Sequence, residues 1–95
     1  MATFEWSSAF RRGLEQLEAE LKARFLVAEK EFSDDLDRED FRSGLRVKKL
    51  KGRSDVWEIT FAPDGRATFV YGDPKVEGRK HVHWRAIGTH HQLGL

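Results

Sequence analysis

Ninety-five residues suffice for one domain with a single modest core, and three tryptophans and seven phenylalanines supply the material for it. There is no cysteine, so neither a disulfide nor a thiolate metal site can hold the fold, and no apolar run approaches the ~20 residues of a membrane-spanning helix. The net charge of +1 conceals an asymmetry: residues 1–40 carry eleven acids and six bases, residues 41–95 eleven bases and five acids, so the second part is the one suited to a polyanion. The opening MATFEWSS lacks the basic and apolar regions of a signal peptide, and the expected location is a reducing cytoplasm.

Residues 2–6 are short, apolar and alternating, and read as a first strand. Ser7 or Ser8 offers an N-cap hydroxyl. From there Phe10, Leu14, Leu17, Leu21, Phe25, Ala28 and Phe32 form one apolar stripe at helical period. Neither glycine nor proline interrupts between Leu14 and Ser43, so the pattern predicts one helix of about 25 residues. A break near residues 22–24 would instead give a helical hairpin. The mixed signs on the polar face make the stripe a core-forming face, not a membrane-binding one. Residues 33–40, SDDLDRED, read as an acidic turn entering a short second helix that ends near Gly44, where glycine suits the position past a helix end.

Residues 41–53, FRSGLRVKKLKGR, hold six bases and no acid. Such a run is a solvated strand edge and loop in its simplest reading; its other reading is a phosphate-binding patch, which confers affinity without sequence choice. Residues 56–71, VWEITFAPDGRATFVY, are two strands about a tight turn. Trp57, Ile59 and Phe61 alternate with Glu58 and Thr60, Pro63-Asp64-Gly65 is turn chemistry, and the second strand starts on Arg66. If the Trp57 face is buried, Glu58, Thr60 and Arg66 face the other way, and Arg66 could pair with Glu58 across the hairpin. Residues 72–80 form a polar loop. Residues 81–88, HVHWRAIG, form a last strand with Val82, Trp84 and Ala86 on one face and His83 and Arg85 on the other. His81 and His83 have the i,i+2 spacing of a chelating pair, but no third ligand is fixed beside them by sequence. The whole is an α+β domain over residues 1–95, with an antiparallel sheet of about four strands and the long N-terminal helix, or helical hairpin, packed on one face.

The order LRVKKLKG, VWEITF, DGRATFVYG and WRAIGTH resembles the RelE/ParE superfamily of bacterial toxins, in particular the RelE- and HigB-type mRNA interferases. The resemblance spans nearly the whole chain. It implies a toxin of a type II toxin–antitoxin pair that cuts mRNA, often on the ribosome, without metal or other cofactor. In such a reaction the ribose 2′-hydroxyl attacks the adjacent phosphate, which needs a base, a cation for the developing charge and an acid for the 5′-oxygen. On this resemblance Arg66 is the phosphate clamp, His90 the acid or base and Glu58 a candidate base. Lys48, Lys49, Lys51, Arg53 and Arg85 hold RNA and ribosome phosphates. The implied partners are a small antitoxin, the ribosome with its mRNA and, through the antitoxin, operator DNA. The chain departs from the pattern at Glu58 and Thr60, where RelE has two lysines, at Lys48, where another family type has a glutamate, and after His90, where the family's tyrosine is missing and Tyr71 is only a remote substitute. A ParE-like gyrase inhibitor and a binder of RNA or a partner without catalysis are the alternatives.

Overall fold

The computed structural model describes residues 2–53 and 55–94. Thr3–Trp6 forms β1, Ser8–Gln16 α1 and Ala19–Arg38 α2. A 3-10 turn at Ser43–Leu45 leads to the two-residue β2, Lys48–Lys49. Then follow β3, Trp57–Ala62, β4, Gly65–Gly72, and β5, His81–Thr89. The sheet order is β1-β5-β4-β3-β2. The α+β class and the one-sided helical layer hold, while the sheet has five strands and is mixed: β1 lies parallel to β5. Antiparallel pairing follows from short hairpins, but β1 is separated from its partner by most of the chain, and hairpin reasoning does not reach it.

The stripe belongs to two helices. Leu17 and Glu18 are both extended, with ψ of 146° and 149°, so the chain turns there, before the expected break at residues 22–24. Tertiary packing sets the break, since α1 lies against β5 and α2 against β3. Ser7 caps α1 by accepting from the Phe10 N–H at 3.0 Å and gives its own proton to the Arg85 carbonyl at 2.8 Å. The core centres on Trp84, fully buried with the rings of Phe10, Phe25, Phe32 and Phe69 at 5.3–5.6 Å. Helices supply three of those four phenylalanines, so the aromatic cluster is what fastens the helical layer to the sheet.

Residues 33–40 are neither a turn nor the start of a new helix. α2 runs on to Arg38 and ends with Glu39 in the left-handed region at φ 57°, so a glutamate does what glycine was expected to do at Gly44. Asp35 explains the arrangement. Fully buried, it accepts from the Arg42 backbone N–H at 2.9 Å, from Arg42 Nε and Nη2 at 2.8 Å each, and from Arg38. Arg42 also reaches Glu31 at 2.9 Å. These donors hold the Asp35 carboxyl far below the usual aspartate range, with the Arg42 side chain the largest influence. The network bolts the segment after α2 to the helix and thereby aims the basic residues that follow.

The central hairpin is as expected, except that β4 begins at Gly65 and pairs it with Ala62 through a bulge. Gly65 is needed there because a Cβ would stand 2.5 Å from the Phe61 ring. A second bulge changes β5. Thr68 pairs with Ala86, and the next residue, Phe69, pairs with Trp84, so Arg85 is the extra residue. The core face of β5 is therefore Val82, Trp84 and Ile87. Ala86, expected beside Val82 and Trp84, lies on the opposite face with Thr68.

Candidate functional site

The candidate site lies on the sheet face opposite the helices. On β3 and β2, Glu58 and Lys48 are directly paired, and Lys48 Nζ stands 3.3 Å from Glu58 Oε1. Glu58 is not an open surface residue: it is 2% exposed. Cover comes from the basic segment that follows β2 and from the C-terminal tail, which line a cleft of about 490 Å³ above it. Lys48, Lys49, Lys51, Arg53, Glu58 and His90 all contribute to that cleft, with Leu50 and Gly94. The second carboxylate oxygen, Oε2, is buried and receives no hydrogen bond from any of the described residues.

Five of the eight expected site residues thus meet around a sixth, Glu58. His90 comes from a different part of the chain and is placed by backbone. Its N–H donates to the Asp64 carbonyl at 3.0 Å and faces the Asp64 carboxylate at 3.3 Å. Asp64, in the β3–β4 turn, is a site-building residue that sequence reading treated only as turn chemistry.

Arg66 and Arg85 lie beside this cleft and do not line it. Arg66 pairs with Thr60 on one side and Gly88 on the other, one row from the Glu58–Thr68 pair. Its Nη1 donates to the carbonyls of Ala62, Pro63 and Gly65 at 3.3, 3.3 and 3.0 Å. It clamps its own turn, and Glu58 has Lys48 as its ion-pair partner. Arg85, exposed at the bulge, shares a second hollow of about 470 Å³ with Arg53, Val56, Thr68 and Ala86. Arg53 borders both hollows, so the basic surface is continuous from Lys48 to Arg85.

The β2 edge presents lysine on both faces, since Lys49 pairs with Trp57 and lies 6.0 Å over its ring. Tyr71 is on the helix-side face, 5.5 Å from Phe69 and 6.1 Å from Trp57, where burial raises its phenol pKa. It cannot replace a tyrosine after His90. At the far corner of the open face, β1 brings Glu5 to the two histidines of β5, with Oε1 3.4 Å from His81 Nε2 and Oε2 3.8 Å from His83 Nε2. Thr3 Oγ1 is 2.7 Å from His81 Nδ1. Among the described residues no group of three or more His, Cys, Asp or Glu side chains is arranged to hold a metal ion.

Solved structures share this architecture. A chain of the DinJ–YafQ complex from E. coli superposes with a TM-score of 0.68 at 16% identity, over 98% of this chain and 98% of that one. A chain of the RelB–RelE antitoxin–toxin complex from Methanococcus jannaschii gives 0.65 at 13%, over 94% and 93%. The YoeB/ParE toxin from Agrobacterium tumefaciens gives 0.66 at 12%, over 93% and 98%. No protein-family model matches the sequence, and no curated protein matches it by sequence. At these identities the likeness is one of fold: the chain has the RelE/ParE toxin fold.

Proposed function

We propose that this RelE/ParE-type fold carries a type II toxin that cleaves translated mRNA by acid–base chemistry without a metal. The observation that carries the reading is Glu58, a carboxylate buried beneath a basic cleft with one oxygen on Lys48 and the other lacking a donor among the described residues. A buried acceptor left unpaired costs about 1–3 kcal/mol, and a ribose 2′-hydroxyl is a donor of the kind it lacks.

Bound there, the hydroxyl gives its proton to Glu58 as its oxygen attacks the adjacent phosphorus. Lys48, Lys51 and Arg53 offset the charge that grows on the non-bridging oxygens, and Arg66 joins them through the part of its guanidinium not spent on the turn. The Lys49 side chain, on the other face of the β2 edge, is left to a phosphate outside the cleft. Arg85 holds a neighbouring phosphate. His90 protonates the departing 5′-oxygen. The products are a 2′,3′-cyclic phosphate and a free 5′-hydroxyl; Glu58 ends protonated and His90 neutral, and exchange with water resets both.

A cleft of this charge needs a cover when the activity is silent. The partner is a cognate antitoxin with an acidic or amphipathic segment laid across the open face or α2, as the toxin–antitoxin complexes of the same fold suggest, and through it the pair would reach operator DNA. The site of action is the cytoplasmic ribosome.

The test is to induce the chain alone in bacteria and map mRNA 5′-ends within minutes. Codon-phased cuts that disappear with Glu58→Gln and His90→Ala are expected. Growth arrest with intact messages and damaged DNA would transfer the reading to gyrase inhibition.

A further inference from the structure

We infer that Gln92 is a positioning residue for His90, an inference that rests on His90 being the proposed acid. Residues 89–92 read Thr-His-His-Gln, and the two ends close on each other. The Thr89 N–H donates to Gln92 Oε1 at 2.9 Å, and the Gln92 N–H donates to Thr89 Oγ1 at 3.0 Å. This reciprocal pair is a capping box, and it starts a turn that continues with the Leu93 N–H on the Thr89 carbonyl and the Gly94 N–H on the His91 carbonyl, each at 3.1 Å.

His90 sits inside that closed ring. Its own N–H is spent outside it, on Asp64 of the β3–β4 turn. The backbone that carries the imidazole is therefore fixed from two directions: β5 delivers it to the turn, and the box sets the angle at which it leaves the strand.

Gly88 supports the same conclusion independently. A Cβ there would stand 2.8 Å from Gln92 Oε1 and 3.5 Å from Gln92 Cβ. The glutamine side chain lies folded over the strand end in the space that a larger residue at 88 would occupy. Gln92 itself does not line the Glu58 cleft. It borders a separate hollow with Leu17, Leu21 and Ile87 on the helix side. It touches no substrate and acts only through the position of His90.

The experiment compares the wild-type chain with Gln92→Leu, which keeps bulk and loses the acceptor, and Gln92→Glu, which keeps the box. Two readouts are taken: amide hydrogen exchange at His90, with β4 amides as internal reference, and single-turnover RNA cleavage with its KM. In Gln92→Leu the His90 amide is expected to exchange about tenfold faster while β4 is unchanged. Its kcat is expected to fall about tenfold or more at unchanged KM, because small misplacements of an acid are costly in rate. Gln92→Glu is expected to restore both. Unchanged exchange at His90 in Gln92→Leu overturns the inference whatever the cleavage rates, and so does accelerated exchange with undiminished kcat. Wild-type chain that leaves RNA intact overturns the cleavage reading instead, and exchange alone then decides whether Gln92 fixes the His90 backbone.

Discussion

The two faces of the sheet are built on opposite logics. On the helix side, Trp84 and four phenylalanines interlock with aliphatic neighbours, and each ring is held by several others. On the other side a buried carboxylate has one lysine for company, beneath lysines and an arginine that are exposed. The first face is stabilised by what it excludes from water, although the Trp84 indole N–H at its centre has no hydrogen-bond partner among the described residues; the second keeps a carboxylate, a far more strongly hydrated group, out of water with one oxygen unsatisfied. Mutations on the two faces should therefore separate stability from activity.

The largest effect is expected on the helix side. Trp84→Ala removes the centre of the cluster, and large aromatic truncations in cores cost about 3–5 kcal/mol, a large share of what a domain of this size has to lose. Urea denaturation would measure it. Asp35→Ala comes next, because it leaves Arg42 without its main partner at the end of α2; Tm is expected to fall by on the order of 15 °C. The same carboxyl sets an acid limit. Its folded pKa lies below the unfolded value of about 3.9, so the stability it contributes is present above that value and drains away as pH falls through the lower folded one. Asp35→Asn should flatten the acid limb of a stability-versus-pH curve.

On the open face the order reverses. Glu58→Gln keeps shape and removes the charge, and cleavage is expected to drop by about 10²–10⁴-fold with stability equal to wild type or higher. A loss of stability parallel to the loss of cleavage would erase the contrast between the faces. The smallest effect is expected at the rim: Lys51→Ala or Arg53→Ala should weaken RNA binding modestly and reduce its salt slope by about 0.7 for each phosphate that a single strand no longer has neutralised. Binding titrations at several salt concentrations would show it.

The same contrast sets what could be read from sequence. The core face was legible, since alternation in residues 57–61 and the stripe from Phe10 to Phe32 are periodic signals. Two local features escaped it. The break at Leu17–Glu18 preserves the phase of the stripe without glycine or proline, and the bulge at Arg85 exchanges Ala86 for Ile87 in the core. The basic segment and the Glu58 strand were legible as residues but not as a site. Glu58 looked outward in a bare hairpin, whereas in the fold it is buried below a cleft lined by the segment after β2 and by the tail. Asp35 was one acid among many in SDDLDRED, and nothing in its spacing distinguishes a buried anchor from a solvated neighbour. The Thr89–Gln92 box also escaped, because a single T-x-x-Q at the end of a strand, with no apolar helical stripe after it, does not stand out from a tail.

The central claim is that Glu58 takes a proton from RNA. The most direct measurement incubates the purified chain with programmed ribosomes and determines the chemistry of the new RNA ends. Wild-type chain is expected to leave 2′,3′-cyclic phosphate and 5′-hydroxyl ends, and Glu58→Gln of unchanged stability to leave none. Equal cleavage by the two chains, or ends bearing a 5′-phosphate, would contradict it.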